Sequence, residues 1–246
     1  MEAVLLGSGG WIPTSRRATC SALVRSHDHA VAIDAGTGIS HLVENPGLLE
    51  GVTTMDIVLT HFHLDHVVGL AYLPALPLPE KPRVYGPGAW LYSATTADIL
   101  ARLVGSPLFI GLDGLASAVD EVPETGLVSG PFELRARVQE RHSEPTLALR
   151  IGDELTYCTD TAYDEANADF ARGTRVLAHE AWYTESAPRE EATHSSAAQA
   201  ARIAREAGVE ELAMIHVRPG AEEVPLAAEA RSIFERSTVG SDLQPL

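Results

Sequence analysis

The sequence has few cysteines, no long apolar run and a shortage of basic residues. Its 246 residues include only two cysteines, Cys20 and Cys158, which lie far apart and outside any C-x-x-C pair. This usage predicts a reduced, cytoplasmic protein in which both thiols are buried as small apolar groups. No stretch approaches the roughly 18 consecutive apolar residues of a membrane-spanning helix. The amino terminus has no basic, cleavable leader pattern, so we expect no signal peptide.

The charge balance argues against a protein that grips long nucleic acids. Lys and Arg number 18 against 34 Asp and Glu, which gives a formal net charge of -16 at neutral pH. Binding of nucleic acid depends largely on neutralisation of phosphates by basic side chains. We therefore expect no large nucleic acid partner. A local basic patch stays open, and bound metal ions would offset part of the negative charge.

The order of predicted elements favours an α/β protein with a single domain over residues 1–246. Helices are predicted over residues 89–103, 195–207 and 222–235, the second with Ser195 or Ser196 as its N-cap and Gly208 just past its end. Strands grouped together with helices early and late predict an αββα four-layer sandwich. Short runs typical of strands occupy residues 3–6, 21–24, 30–33, 56–60, 83–85, 132–141, 146–151, 154–158, 176–178 and 211–215.

The stretch HFHLDH at residues 61–66 concentrates four metal-ligating side chains directly after an apolar run. A strand end can direct His61 and His63 one way, and a helix starting near Asp65 can direct Asp65 and His66 another. This arrangement favours two ions, which about 3.5–4 Å apart can share a water-derived hydroxide and clamp a phosphoryl or acyl oxygen. A polar loop with exposed histidines is the alternative. His27 and His29 also form an H-x-H pair, but they lie in a predicted hairpin turn and are interpreted as surface residues.

The H-x-H-x-D-H pattern resembles the signature of the metallo-β-lactamase superfamily, and the resemblance covers most of the chain. It is closest to the ribonuclease Z-like phosphodiesterase branch. The opening LLGSGGWIPTSRR, residues 5–17, is similar to the glycine-rich first loop of that branch. AIDAGTGISHL, residues 32–42, resembles its second strand and turn, with Asp34 as a structural support. The αββα sandwich is the fold that this resemblance implies.

The resemblance implies a dinuclear site completed by residues that come much later in the chain. His61, His63 and His142 would hold one ion, and the other ion would be held by Asp65, His66 and His216. Asp160, in YCTDTA, would bridge the two. Taken alone, Asp160 could be a turn residue and His216 a core histidine, but their order and strand-end positions favour ligands. Zinc is the expected metal, with manganese or iron as alternatives, because the set has carboxylates and no thiolate.

Two further motifs resemble those that flank the catalytic acid of the ribonuclease Z-like branch. They are LAHEAWY at residues 177–183 and THSSAAQAA at residues 193–201. On this resemblance His194 would donate a proton to the leaving group, Glu180 would hold its imidazole, and Asp65 would orient the attacking hydroxide. A carboxylate beside an imidazole raises its pKa, whereas the helix amino terminus after His194 opposes its charge. The alternative for His194 is a neighbour of the helix cap without chemistry, and His179 is expected to be structural.

The tRNA-processing members carry a long arm between the third histidine and the bridging aspartate. Residues 143–159 leave room here only for two strands and a turn. Related members without the arm act on small phosphodiesters, so the resemblance implies a phosphodiesterase for a small-molecule substrate such as a cyclic nucleotide or cyclic phosphate. The alternatives are a hydrolase of lactones, thioesters or sulfate esters on the same metals, a non-enzymatic metal-binding module and, least favoured, a tRNA 3′-processing endonuclease. The resemblance also allows a homodimer, and the apolar segment 107–123 is a candidate lid or wall.

Overall fold

The computed structural model describes residues 1–187 and 193–246, and their strands form two seven-stranded sheets. The strands of the first sheet are β1 Glu2–Gly7, β2 Ser21–Ser26, β3 His29–Ile33, β4 Thr54–Val58, β5 Arg83–Pro87, β6 Ala118–Val122 and β14 Gln244–Pro245. Those of the second sheet are β7 Gly126–Ser129, β8 Phe132–Gln139, β9 Thr146–Ile151, β10 Leu155–Cys158, β11 Val176–Glu180, β12 Glu211–Ile215 and β13 Ser237–Val239.

Helices flank both sheets. The α-helices are α1 Ser40–Glu44, α2 Leu64–Val67, α3 Ala89–Tyr92, α4 Thr96–Val104, α5 Leu112–Leu115, α6 Ala166–Ala171, α7 Ala197–Ala207 and α8 Glu223–Arg231. Three 3₁₀ helices, Thr37–Ile39, Pro46–Leu49 and Val68–Ala75, connect elements of the first half. Within the two described ranges, no helix has the length and apolar character needed to cross a bilayer.

Each sheet combines an antiparallel part with a parallel part. The first has the order β14-β1-β2-β3-β4-β5-β6, in which β3 to β6 are parallel. The second has the order β13-β12-β11-β10-β9-β8-β7, in which β10 to β13 are parallel. The carboxyl ends of parallel strands meet at one edge of a sheet, and ligands of α/β proteins bind there. This topology therefore brings the residues that follow β3, β4, β10, β11 and β12 to the strand-end edges of the sheets.

Three apolar cores separate four layers and confirm the predicted sandwich. In β1, Leu6 packs with the helices outside the first sheet, whereas its neighbour Leu5 packs between the two sheets. In β11, Val176 also lies between the sheets, and Leu177 points to the helices outside the second sheet. Successive side chains of a strand point to opposite faces, so each central strand contributes to two cores.

The structure confirms some of the local predictions and corrects others. Strands 146–151 and 211–215 have the predicted bounds. The predicted helix 89–103 is two helices, because Ser93 takes a left-handed φ of 55° and Thr95 caps α4 by accepting from the Asp98 N–H. Part of the candidate lid, 118–122, is the edge strand β6 of the first sheet. Both cysteines are buried as predicted. His29 is not a surface residue, since its Nε2 lies 2.8 Å from the Ser129 hydroxyl between the sheets.

Candidate metal centre

The structure brings all seven predicted metal-ligating side chains to one place, at the ends of strands from both sheets. His61, His63, Asp65 and His66 lie on the turn and short helix α2 after β4. Three more side chains come from the second sheet, after β8, β10 and β12 in turn: His142, Asp160 and His216. Asp160 and His216 both have left-handed φ values, 46° and 50°. Non-glycine residues rarely adopt this conformation, and residues held in it cluster at functional sites.

One oxygen of Asp160 faces three histidines. Asp160 Oδ2 lies 3.5 Å from His61 Nε2, 3.3 Å from His142 Nε2 and 3.9 Å from His63 Nδ1. His142 Nε2 and His63 Nδ1 are themselves 3.4 Å apart. These four atoms therefore surround one point.

The other oxygen of Asp160 faces a second group. Asp160 Oδ1 lies 3.2 Å from His66 Nε2 and 3.1 Å from His216 Nε2. Asp65 Oδ2 completes this group at 3.5 Å from His66 Nε2 and 3.4 Å from His216 Nε2. The carboxylate of Asp160 therefore lies between the two groups, with one oxygen turned to each.

The spacing of the donors matches a metal centre. Two donors that are each about 2.1 Å from a tetrahedrally coordinated zinc ion lie about 3.4 Å apart. The distances between donors in both groups are close to this value. In addition, the buried nitrogens His61 Nε2 and His66 Nε2 have no hydrogen-bond partner within the described residues, although carboxylate oxygens lie nearby. Unpartnered buried nitrogens among carboxylates fit divalent cations, and the donor set of imidazole and carboxylate fits zinc.

Groups behind the donors fix their orientation. His66 Nδ1 lies 2.8 Å from Asp34 Oδ2, and the other Asp34 oxygen accepts from the Thr60 amide at 2.7 Å. His142 Nδ1 donates to the Thr193 carbonyl at 2.9 Å, which leaves its Nε2 lone pair directed at the site. Hydrogen bonds of this kind set the tautomer of a metal-binding histidine and raise its basicity. The supporting role predicted for Asp34 is therefore observed.

The electrostatics of the site favour cations. Burial opposes the charge of Asp160, yet the positive charges of His216 and His66 outweigh it and hold the pKa of Asp160 well below its usual range. Asp65 has a lowered pKa for the same reason, mainly through His66. Burial, reinforced by the charge of His66, lowers the pKa of His61 to about 4, so that its imidazole is neutral at physiological pH. Ionised carboxylates and neutral imidazoles are the protonation states that bind a metal, so Asp160, Asp65 and His61 are in the binding state. The pKa of His66 is raised despite burial by the nearby carboxylates, so this imidazole must give up a proton when a metal binds.

Glu180 and His194 form a pair at the same rim. Glu180 is fully buried at the end of β11, and its Oε2 lies 3.0 Å from His194 Nδ1. Its other oxygen accepts from the backbone N–H of Thr161, the residue that follows Asp160. Burial lowers the pKa of His194, but the charge of Glu180 and the hydrogen bond between Glu180 and His194 outweigh burial and raise this pKa. His194 also lies within 4.8 Å of donor atoms of Asp160 and His216.

A family model described as a beta-lactamase superfamily domain matches residues 29–217, more than three quarters of the chain. The chain belongs to this superfamily. It is 28% identical to a ribonuclease Z of Methanopyrus kandleri over 96% of this chain and 94% of that protein. It is 25% identical to the probable metallo-hydrolase YhfI of Bacillus subtilis over 95% of this chain and 94% of that protein. The predicted resemblance is therefore confirmed, and the protein is a metal-dependent hydrolase.

The fold of this superfamily member is shared with solved structures. The metallo-β-lactamase fold protein YhfI from Bacillus subtilis has a TM-score of 0.82 at 21% identity, covering 100% of this chain and 98% of that one. A diphosphatase of the PhnP family has a TM-score of 0.77 at 18% identity, covering 100% and 96%. The alignment with the Methanopyrus ribonuclease Z runs over 267 positions, more than the 246 residues present here. That relative therefore has insertions that this chain lacks, whereas the YhfI alignment needs 240 positions.

Three features of this superfamily site were not found from the sequence. The backbone N–H of Trp11 donates to Asp65 Oδ2 at 2.6 Å. Gly10 lies against His216, since a Cβ at residue 10 would be 2.4 Å from the imidazole ring. Trp182 stacks on His194, with ring centroids 4.5 Å apart and an interplanar angle of 15°. Trp11 and Gly10 belong to the glycine-rich loop, and Trp182 belongs to LAHEAWY. Both motifs were singled out from the sequence, but residue types alone did not predict which of their residues contact the site.

Besides a cavity of about 500 Å³ that is lined by His63, two more cavities lie near the centre. A cavity of about 660 Å³ extends from Gly9 and Ile12 to Val217 and is lined by Arg16 and Arg218. Neither of these two guanidinium groups has an acidic partner within 4 Å in the described part of the chain, and both side chains are exposed. Arg17, the third arginine singled out from the sequence, is buried and binds Glu223 and Ser8, so its role is structural. A second cavity, about 390 Å³, lies beside His142 and His194.

Proposed function

We propose that the protein is a dinuclear metal-dependent phosphodiesterase that cleaves a small phosphodiester, such as a cyclic nucleotide or another cyclic phosphate. One observation carries the proposal: the Asp160 carboxylate lies between two donor groups while the Glu180–His194 pair stands at the same rim. The two donor groups support a pair of divalent ions, with zinc as the first choice. The acid pair supports a reaction whose leaving group needs a proton.

The residues divide the work of the reaction. When bound, two ions polarise a phosphoryl oxygen and lower the pKa of water so that it can attack at neutral pH. Asp160 faces both donor groups and Asp65 completes the second. Asp65, fixed by the Trp11 amide, also orients the attacking group. His194, held through Nδ1 by Glu180, keeps Nε2 free to give a proton to the leaving alkoxide. The cavity beside His194 is the place for the leaving part of the substrate.

The surroundings of the site support a substrate that is small and negatively charged. Between His142 and Asp160 the chain forms only β9, β10 and a tight turn at Gly152, whose φ is 49°. No arm for a large RNA fits in this connection. Arg16 and Arg218 bring positive charge to a cavity near the second donor group, whose lining also includes Glu222 and Glu223, the latter paired with Arg17. A small anion is therefore favoured over a long nucleic acid.

The proposal is tested by turnover of bis-p-nitrophenyl phosphate with zinc or manganese, in the wild type and in Asp160→Ala and His194→Ala. We expect turnover in the wild type, and loss of both turnover and bound metal in Asp160→Ala. His194→Ala should lose roughly 100- to 10 000-fold in rate while keeping its metal content. A metal-loaded, folded wild type that cleaves esters or lactones but no phosphodiester would replace this function with the other hydrolase class.

Three broader features accompany this proposal. We propose that residues 1–246 form one domain, because the two sheets share one apolar core between them. We also propose a homodimer and a cytoplasmic setting, which rest on the family resemblance and on the low cysteine count. Sedimentation of the purified protein tests the proposed homodimer directly.

A further inference from the structure

Trp11 is anchored at the rim of the metal centre by its backbone, not by its side chain. Its N–H donates to Asp65 Oδ2 at 2.6 Å, the oxygen that also faces His66 and His216. The preceding residue, Gly10, touches the His216 ring. The position of residue 11 relative to the site is therefore set by main-chain contacts, which leaves the indole free for another task.

The conformation of Trp11 is unfavourable for its residue type. Its φ is 67°, in the left-handed region that glycine adopts without strain and that a bulky side chain rarely adopts. The fold does not recover this by burial, because 67% of the residue is exposed. The other two tryptophans differ: Trp90 Nε1 donates to the Val122 carbonyl at 2.8 Å, and Trp182 stacks on His194. A strained and exposed tryptophan beside a reaction centre indicates a role in binding.

We propose that Trp11 is a specificity-determining residue whose indole stacks on a flat aromatic ring of the substrate, and that this ring is a nucleobase. The phosphodiester part of this statement rests on the proposed function. Trp11 directly precedes Ile12, which lines the cavity that contains Arg16 and Arg218. A nucleotide can place its phosphate at the metal centre, its base on Trp11 and any further anionic group near these arginines. Every base has a π face, so stacking selects nucleotides as a class without selecting one base.

Two substitutions separate the indole from the backbone. Trp11→Gly keeps the N–H that binds Asp65 and suits a φ of 67°, so it removes the ring without adding strain. Trp11→Phe keeps an aromatic face. The substrates are adenosine 2′,3′-cyclic phosphate and glycerol 1,2-cyclic phosphate, which present a cyclic phosphodiester with and without a base.

We expect Trp11→Gly to lower kcat/KM for the adenosine substrate by about tenfold, chiefly through KM, because stacking of one base on an aromatic side chain has this order of effect. The glycerol substrate should be unaffected, and Trp11→Phe should retain most of the selectivity. Equal losses on both substrates would show a structural role and overturn the proposal. An unchanged preference for the adenosine substrate would overturn it too, as would a change confined to the sedimentation mass, which would assign Trp11 to an interface between copies.

A binding measurement keeps this inference separate from the proposed reaction. Adenosine 5′-monophosphate should quench the tryptophan fluorescence of chelator-treated wild type, and Trp11→Phe should lose that part of the quenching while binding persists by calorimetry. If neither cyclic phosphate is turned over, the proposed function fails while this quenching still supports stacking. Absence of a difference in quenching between wild type and Trp11→Phe overturns the stacking role, whatever the enzyme hydrolyses.

Discussion

At the scale of single residues, three imidazoles at the centre are each oriented by a second group that lies behind them. Asp34 holds His66, the Thr193 carbonyl holds His142, and Glu180 holds His194. An imidazole whose one nitrogen is fixed presents the other in a defined direction and protonation state. His66 and His142 thus direct Nε2 at the donor groups, and the raised pKa of His194 suits that residue to carry a proton.

The Glu180–His194 pair predicts a shift in the pH profile. The pKa of His194 is raised by Glu180 despite burial, so the imidazolium is lost only as pH rises through this raised pKa. Rate should therefore fall on the alkaline side of the profile, and Glu180→Gln should move that fall to lower pH. The measurement is kcat against pH for both proteins with equal metal content.

Glu124→Gln serves as the matched control, because it removes the same charge from an exposed side chain in a loop. Its profile should overlay that of the wild type. An alkaline limb that stays in place in Glu180→Gln would show that Glu180 does not sustain the protonated state of His194.

At this scale, the sequence predicts those site residues whose side chains are themselves metal donors or match a family motif. HFHLDH was located because imidazole and carboxylate side chains are themselves the donors, whereas His142, Asp160 and His216 were assigned from the family resemblance. The amide of Trp11 is invisible to such a search, since every non-proline residue has the same backbone N–H. The stacking of Trp182 on His194 was equally hidden, because it depends on where two strands end relative to each other.

At the scale of elements, the glycine-rich loop after β1 acts as a spacer for the second donor group. A Cβ on Gly10 would lie 2.4 Å from Cε1 of His216, closer than real Cβ contacts allow. We therefore predict that Gly10→Ala displaces His216 and lowers the metal content from the proposed two ions towards one per chain. His61, His63 and His142 lie on the other side of Asp160 and should keep their ion.

Metal analysis of purified protein, with total zinc per chain, checks this prediction. Gly47→Ala is the matched control, because a Cβ at Gly47 meets nothing within 4 Å and its backbone is not left-handed. Two ions retained in Gly10→Ala would mean that the loop gives way and that contact with His216 does not set the site.

Helices and strands were predicted correctly where local signals, such as capping residues, determine them. Helix α7 has its N-cap at Ser196, with a capping box to Gln199, and Gly208 ends it at φ 68°. Strand β6 was missed, because an edge strand such as Ala118–Val122 depends on β5 as its partner, and its burial does not alternate. The break between α3 and α4 was missed as well, although Thr95 and Asp98 form a capping signal in the sequence.

At the scale of the whole molecule, the two sheets meet in one apolar core and the metal centre joins their edges. The predicted ligands follow a strand of the first sheet at His61 to His66 and strands of the second sheet at His142, Asp160 and His216. Bound ions would therefore connect the two halves of the sandwich. We expect one cooperative unfolding transition and a lower Tm after chelation, because a ligand that binds only the folded state stabilises it.

This stabilisation should depend on pH with a defined sign. Burial lowers the pKa of His66, but the charges of Asp160, Asp65 and Asp34 outweigh it and raise the pKa well above its ordinary value. Without metal His66 therefore holds a proton at neutral pH, and a metal that binds Nε2 must displace it. Raising the pH removes this competition, so the gain in Tm on adding zinc to chelated protein should be larger at pH 8.5 than at pH 6.5. At free zinc 100-fold above Kd the gain is about 2.7 kcal/mol, or roughly 5–10 °C for a chain of this size.

Thermal unfolding with and without zinc at the two pH values provides the measurement. His41→Ala should keep the full gain, since His41 lies away from the centre beside Asp242. Asp65→Asn should lose much of it, because an amide replaces the carboxylate that completes the second donor group. A gain that is independent of pH, or larger at pH 6.5, would contradict the protonated state of His66 and would indicate that zinc acts elsewhere on this acidic molecule. A gain that follows the predicted order would tie the stability of the sandwich to the same donors that are proposed to carry its chemistry.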